Sequence, residues 1–400
     1  MSIRDDAIRI AWHVHLADRS GTHKIRRARI NFDGLERTMR KAVVCAGLLA
    51  STTLAHAQSS VTLYGAVDDA IQYIEGVQNT SGHTSSKFSI QSGRFAASVW
   101  GINATEDLGG GTSAVVNLKG SFNTNTGVAA FGETGVIFNY KALVGLTNDT
   151  WGTFKAGRTF ALDNGVWDFD PFVQQNWSSA SLVEGRNWNT TINTLNYWSP
   201  VWHGFDLYVQ YGLGNQTSFN KGAPGEYGRT DGVQLTYTSP FFQVRGIYDE
   251  MRSSDGTYSD LYNYSKEAIA MVNLFLGGFK VSGAYTHMWA NAVAAGAPSA
   301  ADHEWLGVTY QFSAPFALTA AVYHINANGK GALGGGNATM FEVGGTYNIS
   351  KRTMLYATGG VVRNGAESQF SLTPNGVGST DNPLPGHGQV GMYAGIRHSF

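Results

Sequence analysis

The stretch "GVQLTYTSPFFQVRGIYDE", residues 232–250, alternates apolar and polar side chains on both sides of one tight turn. Val233, Leu235 and Tyr237 fall on one face, with Gln234, Thr236 and Thr238 on the other. Ser239 and Pro240 turn the chain. Phe242, Val244, Gly246 and Tyr248 then alternate with Gln243, Arg245, Ile247 and Asp249. A period of two is that of a strand, so the stretch predicts an antiparallel hairpin with one apolar and one mostly polar face. The pattern returns over residues 137–146, where Phe138, Tyr140, Ala142, Val144 and Leu146 share a face. It returns again over 340–349, with Phe341, Val343 and Tyr347 set against Glu342, Thr346 and Asn348.

A soluble β-sandwich alternates in the same way. Two further features separate the cases. Tight connections such as "TSPF" and "NISKRT" alternate with long Gly/Ser/Asn-rich ones at 75–88, 218–229, 252–259, 290–302, 326–339 and 365–386. Short turns on one side and long loops on the other are the habit of outer-membrane barrels. Tyrosine and tryptophan also gather near segment ends (Tyr208, Tyr211, Tyr248, Tyr285, Trp289, Trp305, Tyr310, Tyr347), as in interfacial girdles. The chain then stops on Phe400, inside a strand pattern. Phe400, His398, Ile396, Ala394, Met392 and Val390 share one face, and Ser399, Arg397, Gly395, Tyr393, Gly391 and Gln389 the other. A barrel leaves no open edge in lipid, so this strand is expected to pair with "SVTLYGAVDD", residues 60–69.

Composition agrees. Glycine is frequent (50), proline scarce (9), aromatics make up 12% and charged residues only 14%, against about a quarter in ordinary domains. A net charge of −1 gives no nucleic-acid footprint. The first 57 residues differ from the rest. Residues 1–38 are basic and patternless, with "KIRRAR" at 24–29, and read as a mis-called extension upstream of Met39. Residues 39–57, "MRKAVVCAGLLASTTLAHA", have the basic start, short apolar run and small-residue end of a secretory signal, cut after Ala57 with Ala55 two residues before. The apolar run is short of the roughly 20 residues of a spanning helix. Removing 57 residues takes ten of 28 basic and five of 29 acidic residues, leaving 18 against 24, a net −6. It also removes Cys45, the one cysteine. An exported chain without disulfides needs another closure, and a hydrogen-bonded barrel over 58–400 supplies it.

At these residues the chain resembles the general porins of Gram-negative outer membranes, in particular the β-proteobacterial branch. The carrying motifs are "SSVTLYGAVD" at 59–68, "TEDLGGG" at 105–111, "KALVGL" at 141–146, "GTFKAGR" at 152–158, "SKRTMLY" at 350–356 and "GMYAGIRHSF" at 391–400. The resemblance implies an all-β fold, a 16-stranded antiparallel transmembrane barrel whose third external loop folds inward. It implies a homotrimer that passes small hydrophilic solutes and ions by diffusion, without a cofactor or metal. Outer-membrane lipid and lipopolysaccharide would surround it. The last strand, with Tyr393, Gly395, His398 and Phe400, resembles the signal read by the barrel-assembly machinery.

Channel chemistry is cross-section plus fixed charge. The candidate inward loop follows Arg158, and its acids Asp163, Asp168, Asp170 and Glu184 are candidates for one side of a constriction. Asp168 and Asp170, flanked by Trp167, Phe169 and Phe172, are the favoured pair. Strand parity puts Lys119 and Lys141 on the polar face. With Arg158 and Arg186 they form the candidate basic wall, the rival reading being cations that snorkel to lipid phosphates. Compared with the family, Val99 and Thr190 stand where basic residues are expected and Lys119 where glutamate is common; Arg94 is a candidate replacement for the charge missing at Val99. A substrate-specific channel and an outer-membrane barrel enzyme are the alternatives. The histidines lack zinc spacing, and the Gly-rich turns lack a phosphate loop's Lys-Ser/Thr.

Overall fold

The alternating stretches become seventeen strand segments in one antiparallel sheet. They belong to a computed structural model that describes residues 59–130, 135–214, 217–219, 228–376 and 378–400. The extension at 1–38 and the signal at 39–57 lie outside the described residues. β1 spans Ser60–Gln78, β2 Thr84–Ser92, β3 Ser98–Gly109, β4 Thr112–Phe122, β5 Lys141–Asn148 and β6 Gly152–Phe160. β7 covers Thr190–Trp198, β8 Phe205–Gly212, β9 Thr230–Thr238, β10 Phe242–Met251, β11 Lys266–Leu276 and β12 Phe279–Trp289. β13 is Ala300–Gln311, β14 Phe316–Ala327, β15 Gly336–Asn348, β16 Thr353–Asn364 and β17 Gln389–Ser399.

Each segment from β3 to β17 pairs with the next in sequence. β1 meets β3 over Ser60 to Ala66 and β2 over Asp69 to Gln78. β2 and β3 are therefore halves of one strand broken at residues 93–97, and the barrel has sixteen strands. Its other seam joins β1 to β17, from Ala66 opposite Ser399 to Glu75 opposite Val390. Phe400 and Gly65 exchange backbone hydrogen bonds of 3.0 and 3.2 Å. The seam is also fastened from within. The buried Asp68 carboxylate accepts from Tyr356 Oη at 2.6 Å and lies 3.6 Å from Arg397 Nη1. The barrel expected from the last strand is closed.

Burial is inverted relative to a soluble protein. Val233, Leu235, Phe242, Val244 and Tyr248 are exposed, while Gln234, Thr236 and Asp249 on the opposite phase are buried. The same holds in β17, where Val390, Met392 and Ile396 face out and Tyr393 faces in. Large apolar side chains outside and hydrogen-bonded polar ones inside are what lipid demands.

Three local readings change. β1 continues to Gln78, with a bulge between Glu75 and Val77 where Gly76 takes φ 91°. Residues 75–88 are thus mostly a hairpin with β2 and not a long loop. β5 starts at Lys141 and not at Ile137. There Asn139 turns its side chain into the backbone, accepting from Ser121 N at 2.8 Å and donating to Ala130 O at 2.9 Å.

The Phe400 ring covers Gly65: a Cβ there would lie 2.3 Å from ring carbon Cζ. Gly65→Leu is expected to lift the ring and lower the yield of folded barrel, read as heat-modifiable mobility in SDS gels. Gly246→Ala, whose added carbon meets nothing closer than 4.0 Å, is expected to fold like the parent.

Candidate functional site: the inner wall and the segment docked on it

Between β6 and β7 the chain leaves the sheet for residues 161–189, which form three short 3-10 turns at Leu162–Val166, Ser179–Val183 and Arg186–Trp188. Its polar contacts go to the inner phase of distant strands. Lys280 Nζ and Asn273 Nδ2 donate to the Asp168 carbonyl at 2.6 and 3.0 Å. Trp305 Nε1 donates to Phe169 O at 3.0 Å, and Tyr393 Oη to Gln175 Oε1 at 2.8 Å. Phe169, Phe172, Trp177 and Leu182 are almost wholly buried against that wall. Phe169, Phe172 and Trp177 hold the segment to the wall, whereas Trp167 is exposed.

The four candidate acids of this segment separate. Asp168 is part-exposed and paired with Arg245 of β10. Asp170 is fully buried, accepting from Phe172 N at 2.7 Å, Ser179 N at 2.8 Å and Tyr323 Oη at 3.0 Å. Burial raises its carboxyl above the usual range, with those hydrogen bonds opposing. It is a structural bracket and does not face water. Glu184 is half-buried and ends a 3-10 turn in the left-handed region, φ 53°.

Asp163 is fully buried too, with Arg186. Arg186, expected on the basic wall, lies in the segment itself and is 1% exposed. Its guanidinium reaches Asp163 at 2.6 Å, Asp249 of β10 at 2.9 Å and Glu267 of β11 at 3.5 Å, and Nε donates to Ser265 Oγ at 3.0 Å. Burial disfavours the cation, but Glu267, Asp249 and Asp163 more than offset this, so the Arg186 pKa is raised and it stays charged. For Asp163, burial and then Asp249 outweigh Arg186 and push the carboxyl well up. One guanidinium thus serves three dry carboxylates, and Asp163 Oδ1 and Asp249 Oδ2 meet no donor among the described residues.

Of the basic wall, Lys119 on β4 and Lys141 on β5 are direct cross-strand partners on the inner phase. Arg158 differs. It shares the phase of exposed Phe154 and Ala156, and it donates to Asn139 O and Thr190 Oγ1, both at 2.7 Å. Arg94 is buried and donates to Gln72 Oε1 at 3.0 Å and to Asn176 of the docked segment. Inner cations that the candidate basic wall did not include are found as well, among them Lys155 of β6, Arg245 of β10 and Lys280 of β12. Lys155 Nζ donates to Asn117 Oδ1 at 2.7 Å and lies 5.5 Å from the Trp198 ring. Parity marked two of them, since Arg245 alternates with Val244 and Lys155 with Phe154.

A closed barrel with an apolar belt, a polar inner face and fixed charges along it defines an outer-membrane channel protein. A sequence profile described as Gram-negative porin matches residues 42–367, and the chain belongs to that family. An outer membrane porin protein of Bordetella pertussis is 28% identical over 373 residues, covering 82% of this chain and 95% of the relative. Outer membrane porin protein 32 of Delftia acidovorans is 25% identical, covering 90% of this chain and all of the relative. Among solved structures, an anion-selective porin from Comamonas acidovorans superposes with TM-score 0.69 at 21% identity, over 86% of this chain and all of that one. The Vibrio cholerae outer membrane protein OmpT, in its trimer form, superposes at 0.58 with 11% identity, over 86% and 99%. The protein is an outer-membrane porin, and fold and family point to a channel rather than an enzyme.

Arg186→Met would strand three buried carboxylates, which typically costs about 3–5 kcal/mol. The expected result is a lower unfolding midpoint and protease access to residues 161–189. A second check concerns pH. A carboxyl whose folded pKa is raised binds its proton more tightly when docked, so docking weakens as pH climbs from the free-Asp value of about 4 through the folded value. Current noise at fixed voltage is expected to grow towards alkaline pH, and Asp163→Asn to flatten that dependence.

Proposed function

We propose that this porin is a passive diffusion channel for small hydrophilic solutes, that residues 161–189 form its constriction, and that it favours anions. The observation that carries the anion preference is a division between charges. Lys119, Lys141 and Lys155 lie on the inner phase of three consecutive strands. The carboxylates of the docked segment that touch the wall are buried or joined to Arg186 and Arg245. A wall of one sign raises the local concentration of the opposite ion. Likeness to an anion-selective porin of the same fold supports the sign.

The chain is further proposed to assemble as a homotrimer, in contact with lipid and lipopolysaccharide and inserted by the assembly machinery through its last strand. One outer face supports the trimer. Asp69 stands on the lipid-side phase between exposed Val67 and Ile71. Among the described residues its carboxylate accepts only from the backbone N of Ala70, at 3.2 Å. Beside it Gly345, Ala357 and Ala394 follow one another across β15, β16 and β17, so the surface there is low and flat. A carboxylate is costly against hydrocarbon and small residues allow close approach, which suits protein better than lipid.

Reversal potential in a KCl gradient across a planar bilayer tests the sign. Anion preference is expected in the parent, with conductance arriving in threes. Lys119→Glu, Lys141→Glu and Lys155→Glu are each expected to move the potential towards the cation side. A cation-selective parent would refute the proposal. Because Cys45 is the only cysteine, the mature chain also offers a clean background for the Asp168→Cys variant. A bulky thiol reagent on that variant is expected to reduce the current if the segment stands in the conduction path.

A further inference from the structure

Four glycines on the inner wall lie directly beneath the docked segment. A Cβ on Gly307 of β13 would stand 2.4 Å from Pro171 Cγ, and one on Gly344 of β15 would stand 2.8 Å from Phe172 Cε1. On Gly360 of β16 and Gly391 of β17 it would stand 3.2 and 2.7 Å from ring carbons of Trp177. Gly360 and Gly391 are cross-strand partners, so Trp177 rests on a floor two glycines wide. Neighbouring inner positions on the same strands carry full side chains: Trp305, Glu342, Val362 and Tyr393. Trp177 is 0% and Phe172 2% exposed. Each bare position in the wall is matched by a bulky group in the segment.

We propose that Gly307, Gly344, Gly360 and Gly391 are positioning residues that set how far residues 161–189 stand off the wall, and so set the width of the passage. The inference rests on the reading of this segment as the constriction. The physical ground is that interiors are close-packed. An added methyl or isopropyl is not absorbed but displaces its neighbour. The sheet on one side is held by its hydrogen-bond ladder, whereas the segment is held by side-chain contacts, so the segment is what moves. Gly360 is the best place to test this. Its backbone φ is ordinary, and the nearest atoms to an added Cβ are side-chain atoms of Leu372 and Trp177, not backbone. Shortening Trp177 in the same chain returns the lost space.

The experiment is single-channel conductance in planar bilayers for Gly360→Val, Trp177→Leu and the double variant, all checked for heat-modifiable folding. Gly360→Val is expected to lose on the order of one third of the conductance, because overpacking shifts the overlying group. The double variant is expected to return close to the parent value. A merely destabilising substitution would be made worse by a second one, so recovery of conductance is specific to spacing. Unchanged conductance in folded Gly360→Val, or a loss that Trp177→Leu does not reverse, overturns the inference. Should Gly360→Val fail to fold, Gly360→Ala, whose Cβ has only side-chain atoms of Leu372 and Trp177 as its nearest neighbours, gives the same reading, with a smaller expected loss and an unchanged value as refutation. The thiol block of Asp168→Cys separates the two levels. No block removes the constriction reading itself, whereas a block with no effect at Gly360 removes only the glycine inference.

Discussion

The rest of this structure depends on one constraint: hydrocarbon offers no partner for a backbone N–H or C=O. Every such group within the membrane must be met inside the protein, and for strands that means a sheet with no edge. The β1–β17 seam is where the constraint is satisfied last, and the chain commits its first and last strands to it. Phe400 exchanges backbone hydrogen bonds with Gly65, and inside the wall Asp68 of β1 holds Tyr356 of β16 and faces Arg397 of β17. The low charge content and absence of cysteine after residue 45 follow from the same choice. A closed ladder of hydrogen bonds replaces the core and the disulfides of a soluble exported domain.

Closure leaves a second problem, because a cylinder of sixteen strands is wide and wet inside. Residues 161–189 pack on inner-phase side chains of that cylinder, and such a segment cannot be held by exposed ion pairs alone, which are worth about 0–1 kcal/mol each. The structure instead holds it with dry contacts: Trp177 and Phe172 against the wall, Asp170 bracketed by three donors, and Arg186 among three carboxylates. The part-exposed Asp168–Arg245 pair adds direction more than strength.

Much of this was legible in the sequence, and the boundary of legibility is physical. Parity fixes a side chain's face as soon as a strand is recognised, so the hairpin at 232–250, the outward and inward faces of β17, and the inner placement of Lys119 and Lys141 could all be read. The same rule places Arg158 outside with Phe154 and Ala156, and Lys155 and Arg245 inside, so these positions too are written in the alternation. Parity says nothing about a segment that leaves the sheet. Asp170 finds Tyr323 and Arg186 finds Asp249 across distances in sequence that no local pattern spans. An acid on a loop looks the same whether it faces solvent or a buried guanidinium, so Asp163 and Asp170 read as pore-lining when they are brackets.

That outcome also explains how fixed charge is distributed along the passage. An acid of the segment anchors it where it is dry and bonded to fixed donors, Arg186 for Asp163 and Tyr323 with two backbone N–H groups for Asp170, because no water competes for those bonds. Burial also favours its protonated form, so it projects little field into the water where ions move. Asp163 and Asp170 are therefore spent on holding the segment, and Asp168 shares its charge with Arg245. The lysines of β4, β5 and β6 lie on the inner phase of a wall already rigid by its ladder and are only half-buried. On the proposed reading, anchoring and steering fall to different residues for one reason: a group dry enough to hold the segment in place is too dry to attract an ion past it.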